Sequence, residues 1–340
     1  MNADRFHELT GRYPRLRVAV VGDFCLDRYL EIDPGRAETS LETGLPVHNV
    51  VQVRSQPGAA GTILNNLVEL GVGEIEVVGF CGEDGEGFEL RRALAAKPGV
   101  RLEYFLTTDQ RRTFTYCKPL VLEPERPPRE LNRLDSKNWT RTPAAVEREI
   151  IAAVNQLAPR VDALILMDQV DLADTGVVTG RLLTAVGELA QRCPQRLIIA
   201  DSRRGLRGYP AVTFKMNGSE LAALTGTLPD VGLDQLQSTT LGLARRQGRA
   251  VFVTLAERGI VAASPDGTLA YAPALPVRGP IDIVGAGDAV TANLTAALAA
   301  GASLQESLEL AGTAASIVIH QLGTTGAASV PAIQGLLGVK

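Results

Sequence analysis

Apolar residues along the chain fall into short runs that end in acidic or glycine-bearing turns. Residues 17–21 read Arg-Val-Ala-Val-Val before Gly22 and Asp23, and similar runs occupy 75–80, 163–167, 197–200 and 250–255. Unbroken runs of this length suit strands buried on both faces. Stretches with helical spacing separate them, and the alternation predicts a mainly parallel sheet covered by helices on both sides. In such sheets the ligand crevice lies beyond the carboxyl ends of the strands. Asp23, Asp168 and Asp201 closely follow three of the runs, so they are expected to line one crevice. The bland alternative is that each starts a turn or caps a helix.

Two segments break the alternation. Residues 29–54 and 108–134 are rich in Thr, Val and charged residues, with alternating apolar positions in 46–53 and 113–117. They predict strands of a small second sheet acting as a lid over the crevice, with loop-rich surface decoration as the alternative. Residues 1–28, 55–107 and 135–340 would then form the main α/β domain. The Pro-rich stretch 123–128 reads as an extended connection. Exposed strands within 29–54 suit pairing between two copies, so a homodimer through the lid is expected.

Composition narrows the partners. The 340 residues are 45% hydrophobic, 21% charged and 4% aromatic, a soluble globular profile with enough chain for a large core. A formal charge of −4 leaves no basic surplus for a nucleic acid or an anionic membrane, while a small anionic substrate needs only a local cluster. No apolar run approaches the roughly 18 residues of a membrane span. The polar first 13 residues argue against a cleaved leader. Cys25, Cys81, Cys117 and Cys193 are scattered without a C-x-x-C pair, which fits free thiols in a reducing cytoplasm.

The stretch richest in chemistry is Asp282-Ile-Val-Gly-Ala-Gly-Asp288, followed by a helical pattern in which Val290, Leu294 and Leu298 share a face. The amides of Gly285, Ala286 and Gly287 would sit at a helix N-terminus, where partial positive charge favours phosphate. Asp288 beside that anion hole is poor for binding an anion but suited to accept the proton of an attacking hydroxyl. Phosphoryl transfer depends mainly on positioning and charge neutralisation, so an Asp of ordinary low pKa suffices as base. Other phosphate fingerprints are missing: no G-x-x-x-x-G-K-[ST] and no G-x-G-x-x-G after a strand occurs. Only His7, His48 and His320 are present, and His320, on an apolar stretch, reads as a packed or ligand-edge residue rather than a base.

With these motifs the chain resembles the PfkB, or ribokinase-like, carbohydrate kinase family over nearly its whole length. Asp282–Asp288 is similar to the family signature, and Asn217-Gly-Ser-Glu220 to its N-x-x-E. The resemblance implies a ribokinase-like three-layer sandwich with a mainly parallel central sheet and a small β-sheet lid. It also implies ATP-dependent phosphorylation of a sugar hydroxyl, with Asp288 as base and Gly285, Ala286 and Gly287 as anion hole. Asn217 and Glu220 would support hydrated Mg²⁺, and Asn217, Thr254, Gly259 and His320 the nucleotide. Asp23, Asp27, Gly58, Thr62, Asn66, Lys118, Arg133 and Asp168 would face the substrate, and a monovalent cation near the signature is a family property.

Within the family the likeness is strongest to the heptose-7-phosphate kinase domain of lipopolysaccharide-precursor enzymes, through residues 20–29, 42–47 and Asn132-Arg-Leu-Asp135; no fused nucleotidyltransferase is expected. A phosphorylated substrate would need cations, and Arg111, Arg112, Lys118, Arg133, Arg203, Arg204 and Arg207 are available. Departures touch the substrate side. Ala59 stands for the second Gly of the family loop and Thr62 for its Asn, leaving Asn65 or Asn66 to supply an amide. Ile283 and Val284 replace positions that usually include Thr, and Asp168-Gln-Val-Asp171 replaces a longer substrate motif. The alternatives are a kinase for an unphosphorylated sugar or a nucleoside, a catalytically silent sugar- or nucleotide-binding relative, and, resting on fold analogy alone, a nicotinamide oxidoreductase.

Overall fold

The computed structural model describes residues 1–339. Its main sheet has ten strands, and the predicted runs form its centre. From one edge the order is Leu269–Ala272, Ile260–Ala263, Val251–Thr254, Thr213–Asn217, Leu197–Ser202, Ala163–Asp168, Arg17–Gly22 and Glu74–Gly82. Val100–Arg101 and Phe105–Thr108 both pair with the last of these. All pairs are parallel except the two hairpins at the first edge. Strands at the centre are buried on both faces, and their alternate side chains feed two cores. Val18, Val20, Ile75 and Val77 pack with Ile63, Leu64, Leu294 and Leu308 on one side. Ala19, Val21, Val78 and Leu164 pack with Ile150, Leu182 and Val186 on the other. Each such Val, Leu or Ile side chain contributes about 1.5–3 kcal/mol through burial.

Strand order reverses between Arg17–Gly22 and Ala163–Asp168, since the chain leaves the first strand toward one edge and later returns on the other side. That switch point opens a crevice at the carboxyl ends.

One residue beyond Gly22 the chain continues as Phe24–Ile32, the middle of a second, five-stranded sheet. Phe24–Ile32 pairs antiparallel with Val50–Ala59 and parallel with Thr115–Val121, which also pairs with Arg129–Glu130 and Leu134–Ser136. This sheet therefore starts directly at the switch point. The back of this sheet is held by the helix Gly85–Ala95, whose Glu89 accepts from Arg28 at 2.9 Å and from Ser55 at 2.6 Å. Val50–Ala59 is an edge strand, and its Val50, Val51 and Val53 are exposed. No described helix is long and apolar enough to cross a membrane, and all four cysteines are free.

Candidate active site

The signature forms a turn running into the helix Ala286–Ala299. Gly285 caps this helix with φ 84°, a left-handed conformation that glycine adopts without steric cost. The amide of Ala286 donates to the Ile283 carbonyl at 3.2 Å, so it is spent inside the turn and is not part of the expected anion hole. Among the described residues the amides of Gly285, Gly287 and Asp288 have no protein acceptor; Gly285 and Gly287 thus keep their expected place, and Gly287 and Asp288 form the donor pair in the first turn of the helix.

Asp288 stands in the first turn of this helix. Burial, then the nearby Asp201 carboxylate, push its pKa from the ordinary 3.8 up to about 7, while Lys215 pulls the other way. The expectation of an ordinary, low-pKa Asp is therefore corrected: the carboxyl sits in a desolvated, acidic surround. A base with a pKa near neutrality is better matched to taking a hydroxyl proton.

Lys215 escaped the sequence reading. It lies in Thr213–Asn217 between buried Phe214 and Met216, and it is itself buried. Its ammonium donates to Asp201 Oδ2 at 2.7 Å. A Cβ placed on Gly287 would meet the Nζ at 3.1 Å, so the cation lies directly under the donor turn. Burial works against the ammonium, but Asp201 beside it outweighs this and raises its pKa.

Two residues further on, Asn217 and Glu220 close a reciprocal cap on the helix Gly218–Thr225, with Oδ1 accepting from Glu220 N at 2.9 Å and Oε2 accepting from Asn217 N at 2.7 Å. Thr254 lies opposite Asn217 in the neighbouring strand. Gly259, at φ 93°, serves the hairpin, where any Cβ would collide with the Ala272 carbonyl.

The face of the small sheet opposite Gly85–Ala95 carries the substrate candidates. Asp27 lies between Gln56 and Tyr116 in register, and Tyr29 between Arg54 and Lys118. Side chains in register share a face. Asp27 is buried, with Lys118 Nζ 3.2 Å away; burial raises its pKa although Lys118 opposes this. The Tyr29 ring has Arg54 Cζ at 4.7 Å and Lys118 Nζ at 4.9 Å. Tyr116 has Arg133 Cζ at 4.7 Å and Lys137 Nζ at 5.8 Å. Gly58 is needed here, because a Cβ would approach Asp27 Oδ2 to 2.5 Å and Cys25 Sγ to 2.8 Å.

Thr62 is buried on the helix Ala60–Glu69, its Cγ2 3.4 Å from where a Cβ on Gly285 would lie, so this helix abuts the signature turn. Gln56 bonds to Thr325, which touches the same Gly285 position at 3.6 Å.

Several expected site residues have other duties. Asp23 does not present a free carboxylate to the crevice: Oδ2 accepts from Gln169 N at 2.8 Å and Oδ1 from Val177 N at 2.7 Å. Asp168 is fully buried, and its Oδ2 takes Ser202, Arg204 and Tyr209 at 2.7–2.9 Å. Both are anchors of loops at the strand ends. Asp201, expected with them, belongs to the signature instead.

Asn66 Nδ2 is spent on the carbonyls of Thr62 and Gly326, and Asn65 Nδ2 on that of Pro57. Of the candidate arginines, Arg111 is buried against Thr140 and Arg204 is paired with Asp168. Arg133 is paired with Asp135 but stays on the tyrosine face. His320 has no ring nitrogen to offer a ligand: Nδ1 lies 2.6 Å from the Ser316 carbonyl and Nε2 accepts from Arg278 N at 2.9 Å. It does line a groove of about 540 Å³ with Arg278, Ile317, Gln321, Ala332 and Leu336.

Residues 16–331 match the family model described as pfkB family carbohydrate kinase. Two curated relatives, both named bifunctional protein HldE, come from Azorhizobium caulinodans and a Bradyrhizobium species. Each is 30% identical to this chain, over 90% and 95% of its length and 61% and 64% of their own. The chain thus spans less than two thirds of these relatives.

Among solved structures, Arabidopsis thaliana ribokinase complexed with ribose and ATP superposes with a TM-score of 0.67 at 20% identity, covering 96% of this chain and 99% of that one. Phosphofructokinase-2 from Escherichia coli in complex with potassium gives 0.71 at 19% identity, covering 95% and 98%. The fold is ribokinase-like, and by its match over nearly the whole chain and its curated relatives this protein belongs to the pfkB family of carbohydrate kinases.

Proposed function

We propose that this sugar kinase transfers the γ-phosphoryl group of Mg·ATP to a hydroxyl of an already phosphorylated sugar, of the heptose 7-phosphate class. The observation that carries the reading is the meeting of Asp288, the free amides of Gly287 and Asp288, and buried Lys215 on one turn. Asp288 takes the proton of the attacking hydroxyl, and the amides donate hydrogen bonds to the phosphoryl oxygens. Asp27 orients a hydroxyl of the acceptor from the small sheet, which acts as a lid excluding water.

Among the described residues no group of three His, Cys, Asp or Glu could hold a metal ion alone. That donor set fits a hydrated Mg²⁺ arriving with the phosphates, since Mg²⁺ keeps several waters and needs only one or two carboxylates. Glu220, with Oε2 used in the cap, has Oε1 for those waters. Bound Mg²⁺ would neutralise charge on the phosphates. The groove beside His320 suits the adenine, and Asp282 beside the turn suits a monovalent cation.

Support for a phosphorylated acceptor comes from the crevice face of the lid, where Arg54, Lys118, Arg133 and Lys137 flank two tyrosines. Each cation is paired with a carboxylate, Arg54 with Glu31, Lys118 with Asp27, Arg133 with Asp135 and Lys137 with Asp171, and an incoming phosphate would take over these cations through charge-assisted hydrogen bonds. The relatives named HldE and the likeness through residues 20–29, 42–47 and 132–135 favour a heptose. Exposed valines on the lid edge strand support pairing of two copies, and ATP as donor with four free thiols supports a cytoplasmic enzyme.

The test is a coupled ADP-release screen over sugars and sugar phosphates, including heptose 7-phosphate. Turnover with phosphosugars, weakened at least tenfold in KM by Arg133→Ala, is expected. Turnover only with unphosphorylated acceptors would refute the substrate assignment, and binding without product would favour a silent relative.

A further inference from the structure

Nζ of Lys215 carries three protons, and Asp201 Oδ2 is its one hydrogen-bond acceptor among the described residues. A buried ammonium that uses one donor of three is unusual, because buried polar hydrogens are nearly always paired. The two remaining donors lie under the turn whose Gly287 and Asp288 amides also lack acceptors. Cation and amides therefore converge on one space.

The lysine is held there from two elements. Asp201, at the end of Leu197–Ser202, also accepts from Thr291 Oγ1 at 2.8 Å. Thr291 stands one turn into the signature helix and lies 3.1 Å from the Gly287 carbonyl. The ion pair is thus fixed to the helix that carries the donor turn. Asp201, Asp288 and Glu220 put three carboxylates around this space. An incoming phosphate would meet net negative charge without Lys215.

We propose that Lys215 is a catalytic cation that touches the phosphoryl group being transferred, and that Asp201 is a positioning residue acting through it. The inference rests on the kinase reading above. In the step, the acceptor oxygen forms a bond to the γ-phosphorus as the bond to the β-phosphate bridging oxygen breaks. That bond's electrons leave with ADP, and the hydroxyl proton passes to Asp288. Lys215 forms no covalent bond and gives up no proton; it stabilises charge on the equatorial oxygens.

The experiment measures binding of ADP and of a non-hydrolysable ATP analogue, both with Mg²⁺, by calorimetry, alongside turnover. It compares the parent with Lys215→Met, Asp201→Asn and the double variant. In Lys215→Met the triphosphate should bind at least tenfold more weakly, ADP should stay within about threefold, and kcat should fall about 10²–10³-fold. Asp201→Asn should lose less, and the double variant no more than Lys215→Met alone, because Asp201 acts through the lysine. The double variant leaves no unpaired buried carboxylate, so it keeps the test open if Lys215→Met misfolds.

Equal weakening of ADP and triphosphate, unchanged kcat in a folded Lys215→Met or double variant, or additive losses in the double variant would overturn the proposal. So would a raised Mg²⁺ requirement as the main defect of Asp201→Asn. A parent that binds no Mg-nucleotide would sink the kinase reading and this inference together. A parent that binds and turns over, matched by its folded Lys215 variants, would sink the inference alone.

Discussion

Replacing Asp288 by Asn should make the protein inactive and, above neutral pH, more stable. The carboxyl's pKa is pushed from 3.8 to about 7 by burial and by Asp201, with Asp27 adding and Lys215 opposing. A shift of roughly 3 units at about 1.4 kcal/mol each gives a ceiling of about 4 kcal/mol. Asp288 is partly open to the crevice, so solvent reduces this to about 2 kcal/mol.

The sign follows from which form the folded state prefers. A raised pKa means that the native protein favours the protonated carboxyl. The stability this gives is intact below about pH 4 and is lost as pH rises through 7. Asp288→Asn is neutral throughout and escapes the loss. Thermal unfolding of the nucleotide-free protein, parent against variant, should therefore show little difference near pH 4.5 and a gain of about 3 °C near pH 8. An Asp288→Asn variant no more stable than the parent at pH 8 would refute the account of a desolvated, acidic surround. Retained turnover would refute its role as base.

Other expectations concern the frame of the site. Ala59 has φ 53° and ψ −115°, a conformation that costs a non-glycine residue about 1–3 kcal/mol, so Ala59→Gly should raise stability to urea by about 1 kcal/mol after glycine's added chain entropy; a loss would contradict the strain. Asp23→Asn places an NH₂ group against a backbone amide and should lower stability by about 1–3 kcal/mol, while the folded fraction keeps its KM for the acceptor; a selective KM defect would restore Asp23 as a substrate ligand. Glu76 is buried, and burial and then Glu74 raise its pKa. The stability it gives is present below about pH 4.5 and lost as pH rises, so Glu76→Gln should be stabilising at pH 8 and near neutral at pH 4 in denaturation curves; equal effects at both would count against it.

The central strands were legible because their apolar runs answer to burial on both faces, and Val18 and Ala19 reach opposite cores as neighbouring residues must. The same physics hid the first part of the lid strand. In Phe24–Ile32 residues 24–27 are all buried, because one face meets the crevice and the other the helix Gly85–Ala95, so no period of two marks them. The signature turn was readable from its glycines, but which amides stay free was not. Ala286 donates backward to Ile283, a fact of turn geometry that composition does not encode.

Asp23 and Asp168 follow their strands as a ligand carboxylate would, yet backbone donors hold both oxygens of Asp23 and side-chain donors hold Oδ2 of Asp168, whose Oδ1 is buried without a partner. The chain pattern alone cannot separate those two uses. Lys215 did leave a signal: a lone cation between Phe214 and Met216 in a buried strand must find a carboxylate partner, and two residues later comes Asn217 of the cap.

The central claim is that the turn at Gly285–Asp288 transfers a phosphoryl group with Asp288 as base. The most direct test is a ³¹P NMR assay of the parent and Asp288→Asn with Mg·ATP and heptose 7-phosphate. The account predicts a new phosphomonoester resonance growing with ADP in the parent, and in the variant bound nucleotide without product. Product formed at a similar rate by Asp288→Asn would contradict it.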